Sequence, residues 1–136
     1  MGTYLVRGGK RIEGEFAVRG SKNAALPILA ACVLAADEVV LENLPQIRDV
    51  SQTLEILREL GCSVTLTERT AVIDSREMQA IALCGEAVRK MRSSILFLGA
   101  MLGRSGAGRI AYPGGCAIGK RPIDLHLAAF RRMGVS

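Results

Sequence analysis

The chain has 136 residues, enough for one domain with a real core, and 49% are hydrophobic but only 4% aromatic, so that core must be aliphatic. Charged residues at 23% argue against a disordered chain, and apolar stretches such as 24–36 are too short to cross a membrane. The net charge of +5 suits either a solvated basic surface or an anionic substrate, while the scattered basic residues (Arg7, Lys10, Arg11, Arg89, Lys90, Arg92, Arg131, Arg132) lack the interleaved aromatics of a nucleic-acid binder.

In chain order, residues 4–7 read as a short strand, Gly8-Gly9 as a turn, and 12–19 as a second strand with Phe16 and Val18 on one face. Gly20-Ser21 breaks it, and Ser21 is placed to cap a helix over 22–35 with Leu26, Leu29 and Val33 in one stripe. Pro27 is tolerable there only near the first turn. A strand over 39–42 ends at Leu44-Pro45. Ile47, Val50, Leu54, Leu57 and Leu60 then recur at helical spacing, with Gly61 as the stop. Residues 64–66 and 71–74 form a hairpin about Glu68-Arg69. Helices over 92–102 and 123–133 follow, with a strand at 109–112 between them.

That order is a repeat. The stripe Leu26, Leu29, Val33 returns at Ile95, Leu98, Leu102, each 69 positions on, and Asn23-Ala24-Ala25-Leu26 answers Arg92-Ser93-Ser94-Ile95. Val50, Leu54, Leu57, Leu60 and Gly61 return as Ile123, Leu127, Phe130, Met133 and Gly134. From Pro45 to Gly61 is 16 positions and from Pro113 to Gly134 is 21, so the second copy carries five extra residues. They fall between Tyr112 and His126, in a loop with three glycines, two prolines, Cys116 and the adjacent cations Lys120 and Arg121. A loop inserted on a duplicated scaffold is where function is expected. Ser136 matches Ser63, where the second hairpin should begin, so the chain reads as cut short.

Four cysteines show no C-x-x-C pair or metal spacing, and residues 1–10 lack the apolar segment of a signal peptide, so reduced thiols in a cytoplasmic protein are expected. Cys32, Cys62 and Cys84 read as small buried hydrophobes. Cys116, between Gly114-Gly115 and Gly119, is different: neighbouring cations lower a thiol's pKa, which suits a nucleophile or a proton donor. Arg121, ahead of Pro122 and Asp124 at a helix start, can grip phosphate or carboxylate bidentately. Lys22 and Arg92 are likewise cations in first helical turns, where the dipole disfavours them, so three helix starts converging on anions is the sharper reading. Gly20-Ser21-Lys22 lacks the rest of a P-loop, and the glycines of 103–108 follow a helix rather than a strand, which rules out a dinucleotide fingerprint. His126, the single histidine, is expected to pack or cap.

Three segments carry a resemblance: Ser-Lys-Asn-Ala-Ala-Leu-Pro-Ile-Leu (21–29), Lys-Met-Arg-Ser-Ser-Ile (90–95) and Pro-Gly-Gly-Cys-Ala-Ile-Gly-Lys-Arg-Pro-Ile-Asp-Leu-His (113–126). Together they resemble the UDP-N-acetylglucosamine 1-carboxyvinyltransferase family, enolpyruvyl transferases of bacterial peptidoglycan synthesis. The resemblance implies an α/β fold, an inside-out α/β barrel built from βαβαββ units and here incomplete. Residues 1–21 would belong to a far lobe, and 22–136 to a near lobe whose first repeat spans about 22–88 and whose second, 89–136, is partial. It implies transfer of the enolpyruvyl group of phosphoenolpyruvate to the 3′-hydroxyl of UDP-N-acetylglucosamine, with no metal or organic cofactor. By position Cys116 would be the proton donor and the target of fosfomycin-type inhibitors. Lys22, Asn23 and Arg121 would serve at the phosphoenolpyruvate, and Arg92, Arg121, Pro122, Ile123, Asp124 and Leu125 would contact the nucleotide sugar. The chain alone is expected to be inactive and to self-associate through uncovered apolar surface. The alternatives are a shikimate-pathway enolpyruvyl transferase and a non-catalytic nucleotide-sugar-binding fragment.

Overall fold

The computed structural model describes residues 3–79, 81–114 and 122–136. Helix α1 spans Lys22–Ala35 with the expected bounds, and it buries Leu26, Leu29 and Val33 together with Ala25, Ala30 and Cys32. It runs on through Pro27, which cannot donate the usual bond to the Asn23 carbonyl. Ser21 holds the cap position in extended conformation, but its side chain makes no capping bond. Ala36, left-handed at φ 55°, turns the chain out of the helix.

Strand β1 is Glu38–Leu41, and α2 is Arg48–Glu59. Val50, Leu54, Leu57 and the following Leu60 are buried as the spacing predicts, each contributing about 1.5–3 kcal/mol of hydrophobic burial. Gly61 at φ +92° ends the helix, a conformation any side chain would resist. Strands β2 (Ser63–Thr67) and β3 (Thr70–Asp74) form the expected hairpin, with Glu68 left-handed at its tip. The sheet order is β1-β3-β2, both pairs antiparallel.

The second half repeats this plan with additions. A two-residue strand β4 (Ala82–Leu83) pairs parallel with β5 (Arg109–Ile110). Between them lie α3 (Glu86–Lys90), a 3-10 turn over Arg92–Ser94, and α4 (Ile95–Ser105). The expected helix from 92 is therefore a tight turn first and an α-helix from Ile95. Neither β4 nor α3 is expected from the sequence. Helix α5 is Asp124–Arg132. The equivalent helices α1 and α4 pack against each other, and α1 also packs on α2, so the core sits between the two copies.

Four expectations are corrected. The strands expected at 4–7 and 12–19 do not form: Tyr4, Val6, Ile12, Phe16 and Val18 are 80–96% exposed, and an alternating pattern cannot make a strand without a neighbour to complete its ladder. Cys84 is exposed, lying just past β4 where the chain turns toward α3, while Leu83 within β4 is buried. Met133 is 78% exposed where its counterpart Leu60 is fully buried, since the β2–β3 hairpin that follows α2 has no equivalent over α5 among the described residues. His126 is exposed and makes no hydrogen bond among the described residues.

A candidate anion-binding active site

The starts of three elements open onto one cavity of about 600 Å³, the size range of a small-molecule site. Lys22 and Asn23 reach it from the first turn of α1, Asp49 from the first turn of α2, and Arg92 from the 3-10 turn before α4. Lys90, the last residue of α3, adds a third cation, and Ser93 and Gly114 also stand at the wall. Leu26, Met91 and Ile95 supply the apolar part.

Local chemistry explains how these groups are held. The Ser94 hydroxyl, fully buried, shares its proton between the carbonyls of Met91 at 2.7 Å and Val88 at 3.0 Å. It thereby locks the end of α3 to the turn bearing Arg92. The start of α3 is fixed by Glu59 at the end of α2, whose Oε1 accepts from the amides of Cys84 at 3.1 Å and Gly85 at 2.9 Å. A Cβ on Gly114 would stand 1.5 Å from the Arg89 carbonyl oxygen, so only glycine lets the chain leave β5 across the end of α3. The inserted loop begins at that point.

The charges are unequal. Lys22 Nζ lies 3.0 Å from Asp49 Oδ2, and Lys90 Nζ lies 2.5 Å from Glu86 Oε1. The hydrogen bond from Lys90 holds the Glu86 carboxyl below its ordinary range. Arg92 has no ion pair among the described residues. Three cations thus face the cavity with one carboxylate on its wall, an arrangement that attracts an anion carrying more than one charge.

Of the expected site residues, the fold brings together Lys22, Asn23 and Arg92. Pro122, Asp124 and Leu125 are exposed, Ile123 is buried in the core at the N-cap of α5, and none of the four lines this cavity. Ile123 is thus a packing residue in this structure. Cys116 and Arg121, with Lys120, lie outside the described residues. Sequence reasoning missed Asp49 and treated Lys90 as one scattered cation. Asp49 looks like ordinary first-turn acidity, and only the tertiary packing of α1 on α2 reveals its partner. Cys62, by contrast, is pushed up to about 11 by burial and Cys32 is raised by the same cause, so both are inert thiols.

Comparison with known proteins shows the family. The family model of EPSP synthase (3-phosphoshikimate 1-carboxyvinyltransferase) matches residues 6–136. Relatives named UDP-N-acetylglucosamine 1-carboxyvinyltransferase include one (number 2) from Caldanaerobacter subterraneus, 44% identical over 99% of this chain, and one from Thermotoga maritima, also 44% identical. The Thermotoga maritima match covers 100% of this chain and 32% of that relative, and another relative, from Lawsonia intracellularis, is 46% identical over 98% of the chain. In each case the chain spans about a third of the relative's length, 32%. The solved enolpyruvyl transferase NikO from Streptomyces tendae superposes with a TM-score of 0.77 at 25% identity, covering 95% of this chain and 28% of that one. The chain therefore belongs to the EPSP synthase family, whose members are enolpyruvyl (carboxyvinyl) transferase enzymes.

Proposed function

We propose that this chain carries substrate-binding and proton-donating parts of an enzyme that transfers the enolpyruvyl group of phosphoenolpyruvate to the 3′-hydroxyl of UDP-N-acetylglucosamine, releasing phosphate. The observation that carries this reading is the convergence of Lys22, Asn23 and Arg92 on one cavity with Gly114, where the cysteine loop begins. Both substrates are polyanions, and helix starts bearing cations in a partly enclosed site are suited to them. The name shared by these relatives favours the nucleotide sugar over shikimate 3-phosphate as acceptor.

The reaction is an addition followed by an elimination through a tetrahedral phospholactoyl intermediate. Cys116 gives a proton to the methylene carbon of phosphoenolpyruvate as the sugar hydroxyl attacks the adjacent carbon. Lys22 and Arg121 hold the phosphoenolpyruvate anion, Asn23 assists at the reacting centre, and Arg92 meets the nucleotide sugar with Arg121, Pro122, Ile123, Asp124 and Leu125. Phosphate then leaves as the new methyl carbon gives up a proton, which restores the Cys116 thiol, and the enol ether forms. No metal or organic cofactor enters this scheme. Residues 1–21 belong with a second lobe in this reading, in keeping with the exposed Tyr4, Phe16 and Val18. That lobe supplies the base for the hydroxyl, so the chain alone does not turn over. Its exposed Leu125 and Met133 favour self-association. The whole enzyme works in the cytoplasm at the first committed step of peptidoglycan synthesis, on the path to cell-wall growth and division. Among the described residues no helix is long and apolar enough to cross a membrane.

The test is incubation of the chain with phosphoenolpyruvate and UDP-N-acetylglucosamine, following phosphate release and intact mass, with a fosfomycin-type epoxide and with shikimate 3-phosphate in parallel. Epoxide labelling of Cys116 that UDP-N-acetylglucosamine accelerates, without phosphate release, is the expected result. Labelling unaffected by the sugar, or accelerated by shikimate 3-phosphate instead, overturns the substrate assignment.

A further inference from the structure

Lys22 is an awkward residue for its place. It opens α1, where the helix dipole disfavours a cation, and its ammonium sits on a flexible four-carbon stem. Its Nζ nonetheless has a defined partner, Asp49 Oδ2 at 3.0 Å. Asp49 occupies the first turn of α2, where the dipole favours a carboxylate. The same turn is anchored from below. The hydroxyl of Thr53, only 1% exposed, shares its proton between the Asp49 carbonyl at 2.8 Å and Met91 Sδ at 3.6 Å. Met91 in turn precedes Arg92, so the first turn of α2 is tied to both walls of the cavity.

We propose that Asp49 is a positioning residue for the substrate anion site. Its carboxylate fixes the Lys22 ammonium at the cavity wall, so that phosphoenolpyruvate meets an ordered cation instead of a mobile one. This rests on the reading of the cavity as a phosphoenolpyruvate and UDP-N-acetylglucosamine site. A carboxylate beside an anion site also repels the ligand. Here the Lys22 and Asp49 side chains are 50% and 35% exposed, so water screens that repulsion, while disorder in Lys22 is paid in full at binding.

The test is a double-mutant cycle on the 136-residue chain, with Asp49→Asn, Lys22→Ala and the pair, titrated calorimetrically with phosphoenolpyruvate. Asp49→Asn is expected to weaken binding about threefold, the scale of an exposed ion pair, and to have no further effect once Lys22 is alanine. Asp49→Glu should recover part of the loss, and melting temperature should not track affinity across the set. Tighter or unchanged binding by Asp49→Asn, or an equal loss in the Lys22→Ala background, overturns the proposal. The ¹⁵N signal of the Lys22 ammonium gives a readout that needs no ligand. It should lose order in Asp49→Asn, and an unchanged signal also overturns the proposal. Absence of phosphoenolpyruvate binding by the unaltered chain, together with a changed Lys22 signal, counts against the substrate reading but leaves the ion-pair assignment standing.

Discussion

Replacing Ser94 by alanine removes one oxygen atom from the hinge of the site. That hydroxyl is fully buried and bridges to the carbonyls of Val88 and Met91 at 3.0 and 2.7 Å. Those carbonyls keep backbone partners only at 3.3 Å, from the amides of Met91 and Ser94. Alanine therefore leaves two buried acceptors with long bonds and no water to replace the short ones. The cost should be about 1–2 kcal/mol, the penalty for under-satisfying buried polar groups. For a domain of this length that lowers Tm by about 3–8 °C. Because the same bonds hold the turn that carries Arg92, affinity for UDP-N-acetylglucosamine should fall as well. Ser93 is the control, since it has no side-chain hydrogen bond among the described residues, and Ser93→Ala should stay within about 0.5 kcal/mol. Urea unfolding followed by circular dichroism measures both variants. Equal stability of the two would refute the claim that Ser94 locks the junction of α3 and α4.

Glu59→Gln keeps the shape of the cap on α3 but weakens the two charge-assisted bonds to the Cys84 and Gly85 amides. About 1 kcal/mol should be lost in urea titration, with amide exchange at those two positions speeding up. Hydrogen bonds from Arg76 hold the Asp74 carboxyl down to about 2, so its contribution to stability is complete above its unfolded pKa of about 3.9 and is lost as pH falls through the folded value. Asp74→Asn should therefore flatten the stability profile between about pH 4 and pH 2 and leave its slope near neutrality unchanged. In the native protein a thiol reagent should modify Cys84 quickly, whereas the buried Cys32 and Cys62 should react only on unfolding, as peptide mass mapping would show.

Features that depend on local periodicity were legible in the sequence. The limits of α1, the buried face of α2, the glycine stop at Gly61 and the hairpin at Glu68 all follow from spacing and turn chemistry. So does the duplication, visible in the packing of α1 against its counterpart α4. Features that depend on distant partners were not. Phe16 and Val18 alternate as a strand should, yet a strand exists only with a neighbour, and none pairs there. The two residues of β4 are too few to show a period, and α3 is held by Glu59 from another element. For the site, Lys22 and Arg92 were conspicuous because cations at helix starts are unfavourable. Asp49 was hidden because acids there are ordinary. Lys90 was inconspicuous for the opposite reason, since a cation at a helix end is favourable.

In the proposed reading, the cavity between the starts of α1, α2 and α4 is the substrate site. The most direct measurement is amide chemical-shift mapping of the chain titrated with UDP-N-acetylglucosamine and then with phosphoenolpyruvate. Shifts should concentrate at Lys22, Asn23, Asp49, Arg92 and Gly114 while the β2–β3 hairpin, including Thr65 and Val72, stays still. Shifts centred on the hairpin, or none at millimolar ligand, would contradict it.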